Sequence, residues 1–414
     1  MNAPVPSFSV PPHALRTLTA AILVGFALLY TGWITYVIAA DRPLDFYTYL
    51  LAAAAFAQGE DPYTMSSAAQ EMLASQKGIT HFARVYRYPP HTALLLLPLL
   101  QLPPQGAALL WVTLNALALV AGAWSLATLY PHRYSRPLAL GLMLCSVPPL
   151  ATLLAGQVVG LLYLTTVLGL VWLARSQVVR GGLALATGSL LKLLPIALIL
   201  YLFWRQQWRA GLVAAGLLAL LFVLATPLAG LDGMQHYLAS AVALGGPDTV
   251  IADPVNQTLT AWAGRSFAAL SNDQIVLVGR IASLAIVLLT AAVCVPLGTS
   301  HSFLVREVAL IVAALQMIAP FTWYLQLVML HIPLFVTLMT LLPQRRRKTI
   351  AAVGLLTLFS NLHGLFWRPI AESLGNGWWM STPLFLTLLL WVCLATDILT
   401  EKQSLHRKTT PAQP

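Results

Sequence analysis

Apolar residues run in long unbroken stretches along this chain, and polar residues gather in the intervals between them. Stretches near the roughly 20 residues that cross a bilayer as helix fall at about 17–40, 106–129, 138–155, 158–174, 209–228, 274–297, 306–321, 323–342, 349–366 and 380–398. The pattern predicts an all-α polytopic membrane protein with about 10 full transmembrane helices. The first stretch is too long for the apolar core of a signal peptide, so an uncleaved anchor is expected. Two apolar pieces need separate treatment. Residues 88–103 are bounded by prolines and short, and are expected to dip into the membrane. Residues 181–204 are interrupted at Lys192-Leu193-Leu194-Pro195, and are expected to form a re-entrant helical pair that enters and leaves on one side. No internal repeat and no appended soluble domain is evident, so residues 1–414 read as one integral membrane domain.

Composition agrees with the pattern. Of 414 residues, 58% are hydrophobic and 9% charged, and the mean hydropathy is +0.78. A soluble domain carries about a quarter charged residues. Globular cores of this size cannot hide so much apolar surface. A soluble enzyme, a nucleic-acid-binding protein and a disordered scaffold are thereby excluded. Cys145, Cys294 and Cys393 all fall in apolar stretches without metal-like spacing, and read as packing residues.

The net charge of +10 is informative through its placement. With the expected spans, Arg16, Arg133, Arg136, Arg175, Arg180, Arg205, Arg209, Arg306, Arg345 to Lys348, Lys402, Arg407 and Lys408 share one face. The other face receives Arg42, Lys77, Arg84, Arg87, Arg265 and Arg368, together with most of the acids. Cytoplasmic loops are the basic ones. A multi-pass protein of the cell (inner) membrane with both termini in the cytoplasm is therefore expected. Two long outer segments follow, about 41–105 with a juxtamembrane helix and about 229–273, with a shorter third at 361–379. Chemistry is expected on that outer face, where loop length and polar residues concentrate.

Candidate residues each admit two readings. Asp45, just after the first span, suits a general base acting on a hydroxyl, or caps an interfacial amphipathic helix. Lys192 is costly inside a bilayer, by roughly 2.5–3.5 kcal/mol on insertion scales. A break at Pro195 places it at a wet vertex suited to a lipid phosphate; the other reading is snorkelling, over about eleven residues from Arg180. Gly156-Gln157 and Asn256-Gln257-Thr258 are either ligand contacts or ordinary polar turns. The histidines show no ligand spacing, and no Gly-rich phosphate loop is present, so no metal or nucleotide cofactor is expected.

In order, Asp45-Phe46, Tyr49, Gly59, Asp61-Pro62-Tyr63, Tyr88-Pro89-Pro90 before a leucine-rich run, Gly156-Gln157 and Lys192-Leu193-Leu194-Pro195 form a series. Trp204-Arg205, Trp208-Arg209, Asn256-Gln257-Thr258 and Thr322-Trp323 extend it. Over about residues 40–330 this series resembles the polyprenyl-phosphate-dependent glycosyltransferases of family 87. The resemblance implies a GT-C-type fold with its active site at the outer leaflet. It also implies inverting transfer of a hexose, mannose in the members it resembles, from a polyprenyl-phosphate donor to a glycan or glycolipid acceptor. Asp45 matches the family's essential carboxylate. The donor phosphate is expected near Lys192 and Arg265. Tyr49, Asp61, Tyr88, Gln157, Asn256, Gln257 and Trp323 are the expected substrate contacts. The family often carries histidines two and three positions after the Trp at 323; here they are Leu325 and Gln326, a departure at the acceptor contacts. The competing reading is a secondary transporter or lipid flippase, where broken helices and an intramembrane Lys also occur. A non-catalytic subunit of polysaccharide assembly is a third.

Overall fold

The computed structural model describes residues 11–192, 195–243, 252–296, 303–344, 346–375 and 377–409. Leu193 and Leu194 of the expected break, Arg345 of the basic run and residues 244–251 of the second outer segment lie outside them. The first apolar stretch is one helix, α1 (Pro12–Ala39), and a tight turn leads into α2 (Leu44–Ala57). α3 (Ser67–Gln76) is capped by the Ser66 hydroxyl, which accepts from the Ala69 amide at 3.2 Å. The paired prolines then open α4 (Pro90–Leu96), where a missing N–H is harmless in the first turn. A 3-10 turn (Leu97–Gln101) follows. A helical stretch this short rises about 18 Å, less than the roughly 30 Å of a bilayer core, so it is too short to be a span.

The chain continues through α5 (Pro104–Ala127), α6 (Ser135–Leu144), α7 (Val147–Ala155) and α8 (Val159–Ala174). It then forms α9 (Val178–Leu191), α10 (Ile196–Trp204) and α11 (Trp208–Ala243), the last kinked at Gly230. After α12 (Leu259–Ser266) come α13 (Asn272–Val293) and α14 (Leu304–Ile318). A 3-10 turn (Tyr324–Leu330) runs into α15 (His331–Leu341). α16 (Arg347–Leu374), a 3-10 turn (Trp378–Ser381) and α17 (Thr382–Thr409) complete the described chain.

Among the described residues, seven helices are long and apolar enough to cross a membrane, or eight if α6 and α7, bent by 54°, form one broken span. The expected spans at 158–174 and 306–321 are helices of 16 and 15 residues, shorter than a full crossing. α13 shows why the bundle belongs in lipid: Leu277, Ile281, Leu284 and Leu288 form an exposed apolar stripe at helical spacing. Water would not tolerate that patch on a monomeric protein. The fold is an all-α polytopic membrane protein.

The interrupted segment folds back on itself. Lys192 takes an extended conformation at the end of α9. Pro195 Cγ then lies 3.3 Å from where a Cβ on Gly188 would sit, although seven residues of continuous helix would separate them by about 10 Å. A Cβ on Gly182, near the start of α9, would sit 2.5 Å from the Ala210 carbonyl, near the start of α11. The two arms therefore begin and end together, with Lys192 at the vertex.

Three of the cations grouped by charge also meet in space. Glu307, fully buried, accepts from the Tyr201 hydroxyl at 2.6 Å, and pairs with Lys402 Nζ at 3.2 Å and Arg205 Nη1 at 3.5 Å. Arg306 pairs with Asp397 at 2.7 Å and with Glu401 at 2.5 Å. These bonds tie α10, α14 and α17 at one end of the bundle. The opposite end holds a separate core around α2, where Phe46, Tyr49, Trp111 and Val158 are buried.

Candidate functional site

The site is built around α2. Its side chains are buried from Phe46 to Phe56, with the alanine run Ala52–Ala55 allowing close packing, so it is a buried helix and not an amphipathic one. Pro43 occupies the N-cap position without a side-chain capping bond. Asp45 is thus not the cap of its helix. It lies in the first turn, where a carboxylate is favoured by the helix dipole, and it is half-buried.

Its partner comes from the turn between α7 and α8. Gly156 ends α7 at φ 66°, ψ 30°, the left-handed conformation that favours glycine. Any Cβ there would lie 2.8 Å from both Pro43 Cβ and Phe46 Cβ. The Gly156 carbonyl accepts from Trp111 Nε1 at 2.8 Å. The glycine thus lets the turn press against the start of α2, and Gln157 Nε2 donates to Asp45 Oδ2. Tyr88 closes the chain of bonds by donating its hydroxyl to Gln157 Oε1 at 2.9 Å. Burial, and then the charge of Asp45, push the Tyr88 phenol up, so it stays protonated and a donor. Burial likewise raises the Asp45 carboxyl above the usual range, opposed by the Gln157 hydrogen bond and by the charge of Lys192.

Lys192 faces the same group from the vertex of the folded-back pair. Its Nζ stands 5.8 Å from the centroid of the Tyr88 ring, within cation–π range. The side chain of Gln326 meets it at 2.7 Å. Residues from five separate parts of the chain therefore converge: Asp45, Tyr88, Gln157, Lys192 and Gln326. Asp45, Tyr88 and Lys192 are each half-buried, so the cluster is not sealed on all sides. An acceptor carboxylate, a nearby ammonium and phenol hydroxyls are what a hydroxyl nucleophile and an anionic leaving group require.

The other expected residues divide. Tyr49 packs its ring edge-on to Tyr88, 4.5 Å between centroids, and so buttresses one member of the cluster. Asp61 stands apart, pairing with His236 Nδ1 at 2.5 Å and accepting from the Tyr63 amide at 2.9 Å. Tyr63 connects that pair to the cluster by donating its hydroxyl to the Tyr88 carbonyl at 2.5 Å. Asn256 and Gln257 belong to a junction with the Thr322-Trp323 motif. Asn256 pairs with Trp323 as an isolated antiparallel bridge and accepts from the Thr322 amide at 3.2 Å. The Gln257 amide donates to the Thr322 carbonyl at 2.9 Å. Trp323 is half-buried and stacks on Phe321 at 6.1 Å and 19°.

Arg265 holds this junction together. Its guanidinium donates to the Asp253 carbonyl at 2.8 Å, the Asn256 carbonyl at 2.9 Å and the Ser381 hydroxyl at 2.7 Å. Burial lowers it to about 10, with Asp253 opposing, so it is charged at neutral pH. Among the described residues its donors go to this junction and not to the Asp45 cluster.

Gln326 and Tyr63 carry contacts that the sequence alone did not assign. The usable signal for Gln326 was its place three residues after Trp323. For Tyr63 it was the Asp-Pro-Tyr motif itself. Among the described residues, no three His, Cys, Asp or Glu side chains are grouped as a metal ion would need. In comparison with known proteins, the model of glycosyltransferase family 87 matches residues 86–320, more than half of the chain. No curated protein matches it. Tyr88, Gln157, Lys192, Asn256, Gln257 and Arg265 fall inside the matched region, whereas Asp45, Trp323 and Gln326 are joined to it by the contacts above.

Proposed function

This chain belongs to glycosyltransferase family 87, and we propose that it transfers a hexose, mannose in the first instance, from a polyprenyl-phosphate donor to a glycan or glycolipid acceptor. Asp45 takes the proton from the acceptor hydroxyl as that oxygen attacks the anomeric carbon. The sugar–phosphate bond breaks on the opposite side, so the configuration inverts. Lys192 stabilises the lipid phosphate as it leaves, when its charge grows. The prenyl tail lies in the bilayer beside the re-entrant pair, and the site opens to the extracytoplasmic leaflet, with both termini in the cytoplasm.

The observation that carries this reading is that Tyr88 links the two groups: its ring faces the Lys192 ammonium at 5.8 Å, and its hydroxyl bonds the Gln157 that donates to Asp45. One is a cation at a break inside a membrane bundle. The other is a carboxylate whose Oδ1 has no hydrogen-bond partner among the described residues. Gln157 leaves that oxygen to the acceptor by occupying only Oδ2. Arg265 serves to hold the outer junction, and Asn256, Gln257 and Trp323 shape the wall on which a sugar ring rests. Family membership favours transfer over transport. Purified protein incubated with radiolabelled polyprenyl-phosphate mannose and crude membrane lipids tests it directly. Label appearing in a new lipid or glycan product supports transfer; label that only crosses a proteoliposome membrane supports a flippase.

A further inference from the structure

Gln326 lies in the 3-10 turn after Trp323 and is 8% exposed. Its amide has one arrangement that satisfies both neighbours. On one side stands Lys192 Nζ, which has donors only; on the other stands the Phe321 carbonyl, which only accepts. The amide oxygen therefore accepts from Lys192 at 2.7 Å, and the amide nitrogen donates to Phe321 at 3.3 Å. The Tyr88 ring faces the same ammonium at 5.8 Å. Phe321 is itself anchored, stacked on Trp323 and covered by the Arg87 guanidinium at 5.6 Å from its centroid. Trp323 is in turn bridged to Asn256.

A chain of fixed contacts thus runs from the outer junction to the cation at the vertex. The type of group matters as much as its place. A neutral amide oxygen takes one of the three ammonium N–H directions and leaves the charge whole. A carboxylate in its position would neutralise that charge, and an aliphatic side chain would leave a flexible four-carbon stem unheld. We propose that Gln326 is a positioning residue, which holds the Lys192 ammonium, charged, at the place where the donor phosphate binds. The inference rests on the reading of Lys192 as the phosphate partner. It adds that donor recognition is set from the 3-10 turn after Trp323 as well as from the vertex.

The test is a double-mutant cycle on the purified full-length protein, with radiolabelled polyprenyl-phosphate mannose as the probe and its Kd as the readout. Gln326→Glu, nearly isosteric, should weaken donor binding about tenfold, because the new carboxylate pairs with Lys192 and competes with phosphate. Gln326→Met, which removes the acceptor without adding charge, should weaken it by about three- to tenfold. Neither change should weaken donor binding further in a Lys192→Met background, since each acts through the ammonium. The dependence of transfer on the amount of membrane-lipid acceptor should stay the same. Wild-type donor affinity in Gln326→Glu, or a loss that adds fully to that of Lys192→Met, overturns the proposal. If Lys192→Met by itself leaves donor affinity unchanged, it is the phosphate assignment that fails.

Discussion

Tyr88 donates its hydroxyl to Gln157 Oε1 at 2.9 Å, and this bond decides which end of the Gln157 amide faces Asp45. With the amide oxygen occupied, its nitrogen is left to donate to Asp45 Oδ2. One carboxylate oxygen is then held and the other stays open. The orientation of Asp45, the proposed general base, is set here by a phenol that makes no hydrogen bond to it.

Replacing Asp45 by Asn keeps the shape and removes the base. Transfer should fall by about 10²- to 10⁴-fold, while the variant stays folded and inserted. Initial rates with the labelled donor, alongside elution and melting of the detergent-solubilised protein, check this. A variant with near-normal turnover removes Asp45 from the role.

The acid limb of the pH–rate profile reports the same carboxyl. Burial raises it, and the hydrogen bond from Gln157 lowers it. The base must be ionised to work, so activity is lost as pH falls through its pKa. Gln157→Leu removes a lowering influence and leaves burial less opposed. The acid limb should therefore move to higher pH, read from kcat/KM against pH. A shift to lower pH contradicts the arrangement.

Gly156→Ala tests the turn that delivers Gln157. The left-handed backbone and the 2.8 Å approach to Pro43 and Phe46 both penalise a Cβ. A loss of about 1–3 kcal/mol is expected, seen as a lower melting temperature, together with reduced transfer because Gln157 is displaced from Asp45.

Arg265→Met separates loop support from donor recognition. It strips the Asp253 and Asn256 carbonyls and the Ser381 hydroxyl of their donor. Stability should fall by about 2–3 kcal/mol, while the folded fraction keeps its donor affinity. A selective loss of donor affinity without a change in melting would return Arg265 to the phosphate site.

Orientation in the membrane has its own measurement. In a cysteine-free background, Arg84→Cys should react with a membrane-impermeant maleimide added to intact cells, and Arg175→Cys only after permeabilisation. Both positions are exposed in the structure. The reverse pattern places the cluster on the cytoplasmic side.

The sequence by itself determined the class of protein, because hydropathy is a local property and a bilayer demands it in continuous stretches. It also marked the break at Lys192, where an extended residue and a proline stop a helix, and the glycine turn before Gln157. These are decided by neighbours along the chain. Span lengths were less legible: α8 and α14 read as apolar stretches of full length, yet their helices stop at 16 and 15 residues. Partnership was decided only by the tertiary structure. Asp45 and Gln157 are 112 positions apart, and nothing local distinguishes Gln157 from an ordinary turn residue until α2 packs on the turn between α7 and α8. Arg265, a cation on the expected face, has its donors turned inward by carbonyls that only the folded junction brings to it. Gln326 acquires its meaning from an ammonium at the break after α9, since a side-chain hydrogen bond depends on a few ångströms of separation that packing alone sets.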